Sequence, residues 1–260
     1  MYKSSLSALL ALSLLACGDN VDRLDTGEQP EAERELARTD QPADFQDGEW
    51  TDLVTDGNLE NWHSYNQDEP GSAWKVDEDG VLYLETSDKS DDGAVIGGGD
   101  LTTNDSYANY ELELEWKIGE CGNSGIIYNI KEAEELSSSY YTGPEMQILD
   151  NSCHPDAEIV THRSGDLYDM ITGEPENVNP AGEWNTVRLV VADGHVEQWQ
   201  NGEMIVSYDN TGENWNAMIA DSKFADWDEF GQYTSGKISL QDHGDPVWFR
   251  NIRIRQLDAK

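Results

Sequence analysis

Short stretches in which apolar and polar residues alternate fill the chain from residue 45 onward. At 110–118, Leu112, Leu114 and Trp116 alternate with glutamates. A period of two places the apolar side chains on one face of an extended strand and the glutamates on the other. The pattern therefore predicts a strand whose apolar face meets a core and whose polar face points outward.

Turn sequences separate these stretches. Asp-Gly and Asn-Gly pairs at 79–80, 193–194 and 201–202 are typical of tight hairpins. Strands are predicted around them at 74–76, 81–84, 186–192, 195–200 and 203–208, and elsewhere at 125–130, 145–149, 236–241 and 247–255. About a dozen strands with few helix signals predict an all-β sandwich of two antiparallel sheets, arranged as a jelly roll.

The first 44 residues have a different texture. Lys3 precedes an apolar run at 6–15, which is typical of a signal peptide and too short to span a bilayer permanently. Leu14-Leu15-Ala16-Cys17 resembles a bacterial lipoprotein signal, which implies cleavage before Cys17 and acylation of its sulfur; ordinary secretion is the alternative. We therefore predict a signal peptide at 1–16, an acidic flexible tether at 17–44 and a folded domain at 45–260, anchored at the bacterial cell envelope on its periplasmic or outer face.

The charge balance excludes some partners. With 53 acidic and 16 basic residues, the net charge is −37. Such a field repels phosphate backbones and anionic lipid headgroups, so nucleic acid is excluded and membrane contact is expected only through the anchor. Most of the carboxylates are expected to form a solvated surface. Binding of a divalent cation such as calcium is the alternative for some of them, although the sequence assigns no metal ligands.

Polar residues gather at the end of the predicted strand 145–149. Met146 and Ile148 would point into the core, so Glu145 and Gln147 would share the opposite face. Two further polar groups and an imidazole follow the strand, namely Asp150, Asn151 and His154. Such a set can exchange protons with a substrate or bind its hydroxyl groups. A surface strand with a polar turn is the alternative.

Other candidate groups lie on the predicted strand 110–118, in turns and near the C-terminus. Aromatic rings stack on sugar rings, while amides, carboxylates and cations bind hydroxyl groups. The candidates of these kinds are Glu113, Glu115, Asn123, Tyr168, Trp184, Gln241, His243 and Arg250. The glutamates at 111, 113 and 115 either face solvent or form a wall of a binding site.

Two cysteines remain in the predicted domain. Neither has a second cysteine two to four residues away, so Cys121 and Cys153 fit one disulfide bond better than a metal site. Export permits such a bond. It would join two walls of the proposed pocket and make them rigid.

Several short motifs occur in a fixed order: ELEWK at 113–117, GNSGI at 122–126, GPEMQILDN at 143–151, GDLYD at 165–169, GEWN at 182–185, NG at 201–202 and the segment 236–252. Together they resemble the 3-keto-disaccharide hydrolase domain over roughly 45–257. The resemblance implies a concanavalin-like jelly roll, related to lectins and laminarinases, and cleavage of glycosides already oxidised to a ketone at C3. Cys121 stands where a small residue is expected, so the pocket rim is expected to differ from the family pattern.

The leading functional hypothesis is a carbohydrate-active enzyme that cleaves 3-keto-glycosides by hydrolysis or by elimination. A ketone at C3 acidifies the proton on C2, so a base can remove that proton and an acid can protonate the leaving oxygen. Glu145 is the candidate acid or base, with His154 or His243 as its complement. One alternative is a glycan-binding module without catalysis, and another is a retaining glycosidase, which needs two carboxylates roughly 5–5.5 Å apart.

Lipidation of Cys17 is directly testable. Mass spectrometry of the mature protein, expressed with its full leader, should show an N-terminus at Cys17 carrying acyl chains. A Cys17→Ala variant should lose that modification. An unacylated N-terminus at another position would contradict the predicted anchor.

Overall fold

A computed structural model describes residues 45–259 of the chain, so the predicted signal peptide, Cys17 and the whole tether lie outside the described residues. Within this range the fold is a sandwich of two antiparallel β-sheets, as the sequence predicted. No helix of the described part is long and apolar enough to cross a bilayer.

The larger sheet has nine strands. Seven of them follow the order β12-β11-β10-β7-β14-β5-β4, and two short strands, β1 and β2, also pair with β14. The bounds are β1 Phe45–Asp47, β2 Thr51–Asp52, β4 Trp74–Val76, β5 Leu82–Leu84, β7 Tyr110–Ile118, β10 Asn185–Ala192, β11 His195–Gln200, β12 Glu203–Asp209 and β14 Val247–Ala259.

The smaller sheet has five strands in the order β3-β6-β13-β8-β9. Their bounds are β3 Trp62–Ser64, β6 Leu101–Thr103, β8 Asn123–Ile130, β9 Glu145–Leu149 and β13 Lys237–Leu240. Two of these strands, β3 and β6, were not predicted individually. Each has only three residues, all buried, so neither shows the alternation that reveals a longer strand.

The core lies between the sheets, and β7 shows how the sequence builds it. Leu112, Leu114 and Trp116 are at most 2% exposed and pack in the main hydrophobic cluster. The glutamates between them point to the outer face of the larger sheet, where they meet arginines of β14. The alternation at 110–118 therefore predicted the inward face of this strand correctly.

One α-helix, α1 at Gly212–Asp221, follows β12 and was not predicted. Trp215 and Ile219, four positions apart, are its buried residues, and the Trp215 indole N–H donates to the carbonyl of Gly231, 2.7 Å away. Two buried positions in ten residues give a weak helical pattern. The helix thus depends on its tertiary contacts rather than on a strong local signal.

The loops after β7 and β9 are joined covalently. Cys121 and Cys153 form a disulfide bond, with Cα atoms 5.1 Å apart. Asp150 supports the same junction, because its carboxylate accepts hydrogen bonds from the backbone N–H groups of Cys121, at 2.9 Å, and Ser152, at 3.0 Å. The start of β8 and the end of β9 are therefore held in a fixed relation.

Removing this disulfide should destabilise the domain. The bond closes a loop between positions 32 residues apart, and a loop of that length restricts the unfolded chain by roughly 3–4 kcal/mol. We expect urea denaturation of the Cys121→Ala/Cys153→Ala double variant to show a loss of about that size. Reduced wild-type protein should match the double variant. Two titratable thiols in the native oxidised protein would show that the bond does not form.

Candidate active site

A cavity of about 280 Å³ opens on the outer face of the smaller sheet. Its floor comes from β8, β9 and the residue after β13, and its walls come from loops that cross this face. The lining residues are Asn123, Tyr140, Glu145, Gln147, Tyr168, Lys223, Phe224, Trp227, Gln241 and His243. Six of the residues proposed from sequence are thus brought together here: Glu145, His243, Asn123, Gln147, Tyr168 and Gln241.

The free edge of β9 is covered by the segment 165–168. The backbone N–H of Gln147 donates to Asp166 O at 3.1 Å, and the N–H of Tyr168 donates to Glu145 O at 3.0 Å. Every residue of β9 is buried as a result, on both faces of the sheet. The same pairing fixes the Tyr168 backbone beside Glu145.

Gly125 explains how the Glu145 side chain fits on this floor. Gly125 lies opposite Gln147 on the neighbouring strand. A Cβ atom at Gly125 would stand 1.9 Å from Glu145 Oε1 and 2.9 Å from its Cγ. Because glycine has no side chain, the carboxyl group can lie across the backbone of β8. The second glycine of the GNSG motif therefore has a steric role in the site.

The environment of Glu145 favours its neutral form. Glu145 is 8% exposed, and among the described residues no side chain or backbone group hydrogen-bonds its carboxyl group. Burial raises the pKa of Glu145 to about 8, and the negative charges of Asp100 and Asp156 act in the same direction against the opposing charge of Lys223. Glu145 therefore carries its proton at neutral pH in the free protein.

Lys223 stands at the wall of the cavity beside Tyr168. Its Nζ lies 3.9 Å from the centroid of the Tyr168 ring, which is a cation–π geometry. Aromatic rings lie beside it in the same loop: Lys223 Nζ is 5.3 Å from the Phe224 centroid, and Trp227 lies 5.1 Å from Phe224 and 6.0 Å from Tyr140, measured between ring centroids. These apolar rings give the cavity surfaces on which a flat-sided ligand can stack.

Amide groups line the floor. Asn123 and Gln241 are 3% and 7% exposed, and their side-chain oxygens have no hydrogen-bond partner among the described residues. A buried carbonyl without a partner costs free energy unless a ligand or water satisfies it. Both amides line the cavity, so they are suited to accept hydrogen bonds from hydroxyl groups of a ligand.

The two histidines proposed from sequence lie near one another, with ring centroids 6.3 Å apart. His243 is exposed and lines the cavity. His154 is not among the lining residues, and its Nδ1 accepts a hydrogen bond from the N–H of Asp156 at the start of a short 3-10 helix. His243 is therefore the better complement for Glu145.

Asp150 and Asn151, proposed as substrate-binding residues, lie outside the cavity lining and serve the loop instead. Asp150 accepts the backbone hydrogen bonds at the disulfide, and the Asn151 side chain accepts from the N–H of Ser164 at 2.9 Å. Burial raises the pKa of Asp150, but the hydrogen bonds from Ser152 and Cys121 outweigh it and lower that pKa below its ordinary value.

Four other proposed residues lie on the opposite side of the molecule, where the outer face of the larger sheet faces away from the cavity. Glu115 accepts two hydrogen bonds from Arg250, at 2.6 and 3.0 Å, and Glu113 pairs with Arg253. Trp184 stacks against the Arg250 guanidinium, 4.1 Å from its ring centroid. The glutamate row of β7 is thus an ion-pair ladder and forms no wall of the cavity.

A larger groove, of about 650 Å³, runs along that ladder. Size alone would favour it as the ligand site. Its charged residues, however, include Glu113, Glu115, Arg188 and Arg253, all of which are held in ion pairs. Of these two pockets, the smaller one combines a buried acid, an imidazole, unsatisfied amides and aromatic rings, so we assign the site there.

The His, Cys, Asp and Glu side chains of the described residues offer one candidate metal cluster, at the disulfide. Within residues 45–259, one group of three His, Cys, Asp or Glu side chains is close enough to share an ion, namely Cys121, Asp150 and Cys153. The two sulfurs are bonded to each other and offer no thiolate. The suggestion of a bound calcium ion therefore has no candidate cluster in the described residues.

Sequence reasoning missed four residues of the cavity wall: Tyr140, Lys223, Phe224 and Trp227. The last three lie in the segment KFADW at 223–227, which follows α1 and belongs to no strand. The sequence did offer one sign of a binding loop, because a lysine and two aromatic residues fall within five positions here. No local pattern shows that this loop folds back over β9.

Comparison with known proteins identifies relatives. A family model described as the 3-keto-alpha-glucoside-1,2-lyase-like domain matches residues 43–255. A Bacteroides thetaiotaomicron protein named 3-keto-disaccharide hydrolase is 37% identical over 230 residues, which cover 79% of this chain and 78% of that protein.

Solved structures give the same picture of the fold. A candidate glycosyl hydrolase from Parabacteroides distasonis superposes with a TM-score of 0.70 at 29% identity and covers 89% of this chain and 99% of its own. A Bacillus subtilis protein of unknown function with a galectin-like fold has a TM-score of 0.52 at 12% identity, over 83% of this chain and 100% of its own. The second likeness shows the jelly-roll fold alone.

The raised pKa of Glu145 predicts a stability effect. Between its ordinary value of 4.5 and about 8, the folded protein holds a proton that the unfolded chain releases. The free energy of unfolding therefore falls as the pH rises through this window. Glu145→Gln has no proton to lose, so we expect it to be more stable than wild type above pH 8 by about 1–3 kcal/mol.

Thermal unfolding of both proteins across this pH range measures the difference. At about pH 5 the two melting temperatures should converge, because wild-type Glu145 is then protonated in the fold. A Glu115→Gln variant controls for loss of an ion-paired glutamate and should show no such gain. A constant difference between Glu145→Gln and wild type at every pH would contradict the assignment.

Proposed function

Because this chain belongs to the family of 3-keto-alpha-glucoside-1,2-lyase-like domains, we propose that it cleaves the glycosidic bond of glycosides carrying a ketone at C3. The name of its Bacteroides relative and the hydrolase-like neighbour from Parabacteroides support glycoside cleavage. The ketone requirement and the elimination route rest on the chemistry of the cavity.

A single observation carries the proposal: the cavity is lined by one carboxyl group, Glu145, and that group is buried and neutral at neutral pH. A retaining glycosidase requires a second carboxylate as nucleophile, and an inverting one requires a carboxylate base. In the described part of the chain, no other Asp or Glu lines the cavity. One acid together with an imidazole suits a route without a nucleophilic carboxylate.

The proposed reaction begins at C2 of the keto-sugar. A base removes the C2 proton, and the electron pair moves toward the C3 carbonyl to form an enolate. The enolate then expels the oxygen on C1, which takes up a proton from an acid. The bonds broken are C2–H and C1–O, and the product is an unsaturated keto-sugar. Addition of water across its double bond gives net hydrolysis.

The residues have distinct proposed roles. Glu145 protonates the departing oxygen, because its raised pKa keeps a proton available near neutral pH. His243 is the base, because it is the imidazole that lines the cavity and a neutral imidazole nitrogen can accept a proton. The amides of Asn123, Gln147 and Gln241 bind sugar hydroxyl groups, and the aromatic wall stacks on the ring.

Turnover by Glu145→Gln tests the central role. On a 3-keto-glycoside, we expect this variant to lower kcat about 10²–10⁴-fold, because the amide keeps the shape of the side chain but cannot donate an acidic proton. Wild-type kcat/KM should fall as the pH rises above about 8, as the acid loses its proton. The unoxidised parent glycoside, assayed side by side, should not be cleaved.

Each other outcome has a clear meaning. Full activity of Glu145→Gln would remove Glu145 from the reaction. A rise of kcat/KM through pH 8 would make Glu145 the base instead of the acid. Binding of glycans by a wild-type protein that cleaves neither substrate would indicate a lectin-like module.

A pair of tryptophan variants tests the location of the site. Trp227→Ala removes part of the aromatic wall and should raise KM for the keto-glycoside by about tenfold, the effect of roughly 1.4 kcal/mol of stacking energy. Trp184→Ala removes an equally large ring on the larger sheet, where it stacks against Arg250. The second variant should leave KM unchanged. A raised KM in Trp184→Ala alone would move the site to the opposite face.

A further inference from the structure

Lys223 is the one lysine or arginine among the residues that line the cavity. Within residues 45–259, no carboxylate lies within ion-pair distance of its ammonium group, whereas Lys131, Lys237 and Arg253 each have a carboxylate partner. In a chain with a net charge of −37, Lys223 thus faces the cavity without a carboxylate partner. Its charge is available to a ligand.

The position of Lys223 is fixed by its neighbours. Its backbone N–H donates to Asp169 Oδ2 at 2.7 Å, and the other carboxylate oxygen of Asp169 pairs with His162 Nε2 at 2.9 Å. The Tyr168 ring contacts both residues: its centroid lies 4.2 Å from that of the His162 ring and 3.9 Å from Lys223 Nζ. Lys223 is an exposed residue, and these contacts place its ammonium group at the rim of the cavity, over the Tyr168 ring.

The electrostatics also relate Lys223 to Glu145. Lys223 and Glu145 both line the cavity, and the charge of Lys223 acts to lower the pKa of Glu145. Partial loss of water around the ammonium lowers the pKa of Lys223, while the charges of Asp169, Glu145 and Asp156 oppose that effect. A cation with fewer water contacts interacts more strongly with a charge that develops beside it.

We propose that Lys223 is a catalytic residue that stabilises the negative charge developing on the C3 oxygen of the substrate when the C2 proton is removed. This inference rests on the proposed function, because only a ketone at C3 produces such an enolate. The C2–H electron pair moves into the C2–C3 bond, the carbonyl π pair moves onto oxygen, and the proton goes to the base. Because Glu145 is neutral, it does not repel the enolate oxygen and does not offset the positive charge of Lys223.

Hydrogen–deuterium exchange at C2 isolates this step. A 3-keto-sugar without a leaving group, the 1,5-anhydro-3-keto-hexitol, can form the enolate but cannot undergo cleavage. In D₂O the wild-type protein should exchange its C2 proton, as observed by NMR. We expect Lys223→Met to slow both this exchange and kcat on a 3-keto-glycoside about 10²–10³-fold with little change in KM. Lys223→Arg keeps a cation and should recover a substantial part of both rates.

Lys117→Met is the matched control. The Lys117 ammonium also lies over aromatic rings, 4.6 Å from the Trp248 centroid and 5.0 Å from that of Trp184, but on the larger sheet. This variant should exchange and cleave at wild-type rates. Thermal unfolding of all three variants shows whether each one is folded at the assay temperature.

The outcomes separate the two proposals. If wild type does not cleave 3-keto-glycosides, the proposed function itself is wrong. If wild type cleaves them and folded Lys223→Met exchanges the C2 proton as fast as wild type, the role of Lys223 is wrong and the proposed function stands. Borohydride trapping of the keto-sugar on Lys223 would also overturn the electrostatic role, because it would reveal a covalent iminium between the amine and C3.

Discussion

The exclusion of water from one carboxyl group, that of Glu145, determines the chemistry open to this protein. Three features of the fold produce it. Gly125 leaves room for the side chain to lie across β8, the segment 165–168 covers the free edge of β9, and the loop at 223–227 forms a wall above them. If any one of these features were missing, Glu145 would meet solvent and ionise like an ordinary surface glutamate. The cavity is thus a consequence of how loops cover one sheet.

The two sheets divide the polar residues of the chain between structure and chemistry. On the larger sheet, acids and arginines of β7 and β14 satisfy each other across neighbouring strands, and tryptophans stack on the arginines. On the smaller sheet, the polar groups of the cavity are left with unfulfilled bonding capacity, as the oxygens of Asn123 and Gln241 show. Groups that already have partners stabilise a fold, whereas groups without them are available to a ligand.

The sequence was sufficient to predict the β-sandwich and part of the floor of the site. Period-two alternation predicted β7, β10, β11 and β12, and the apolar residues at 146 and 148 correctly fixed the outward direction of Glu145 and Gln147. The same local patterns could not show which outer face carries the cavity. Glu113, Glu115, Trp184 and Arg250 look equally suited to sugar binding, because a strand pattern separates core from exterior but does not distinguish the outer faces of two sheets. Lys223 and Trp227 come from a loop after α1, and their approach to β9 depends on long-range packing.

Carbon-13 NMR of the glutamate side-chain carboxyl groups, recorded from about pH 4 to pH 10, tests the exclusion of water from Glu145 most directly. One resonance should titrate near pH 8, far above the ordinary value of 4.5 for a glutamate. That resonance should be missing from the spectrum of Glu145→Gln. If every glutamate of the folded domain titrates near its ordinary value, Glu145 is solvated and ionised at neutral pH, and the cavity does not hold the neutral acid that the proposed reaction requires.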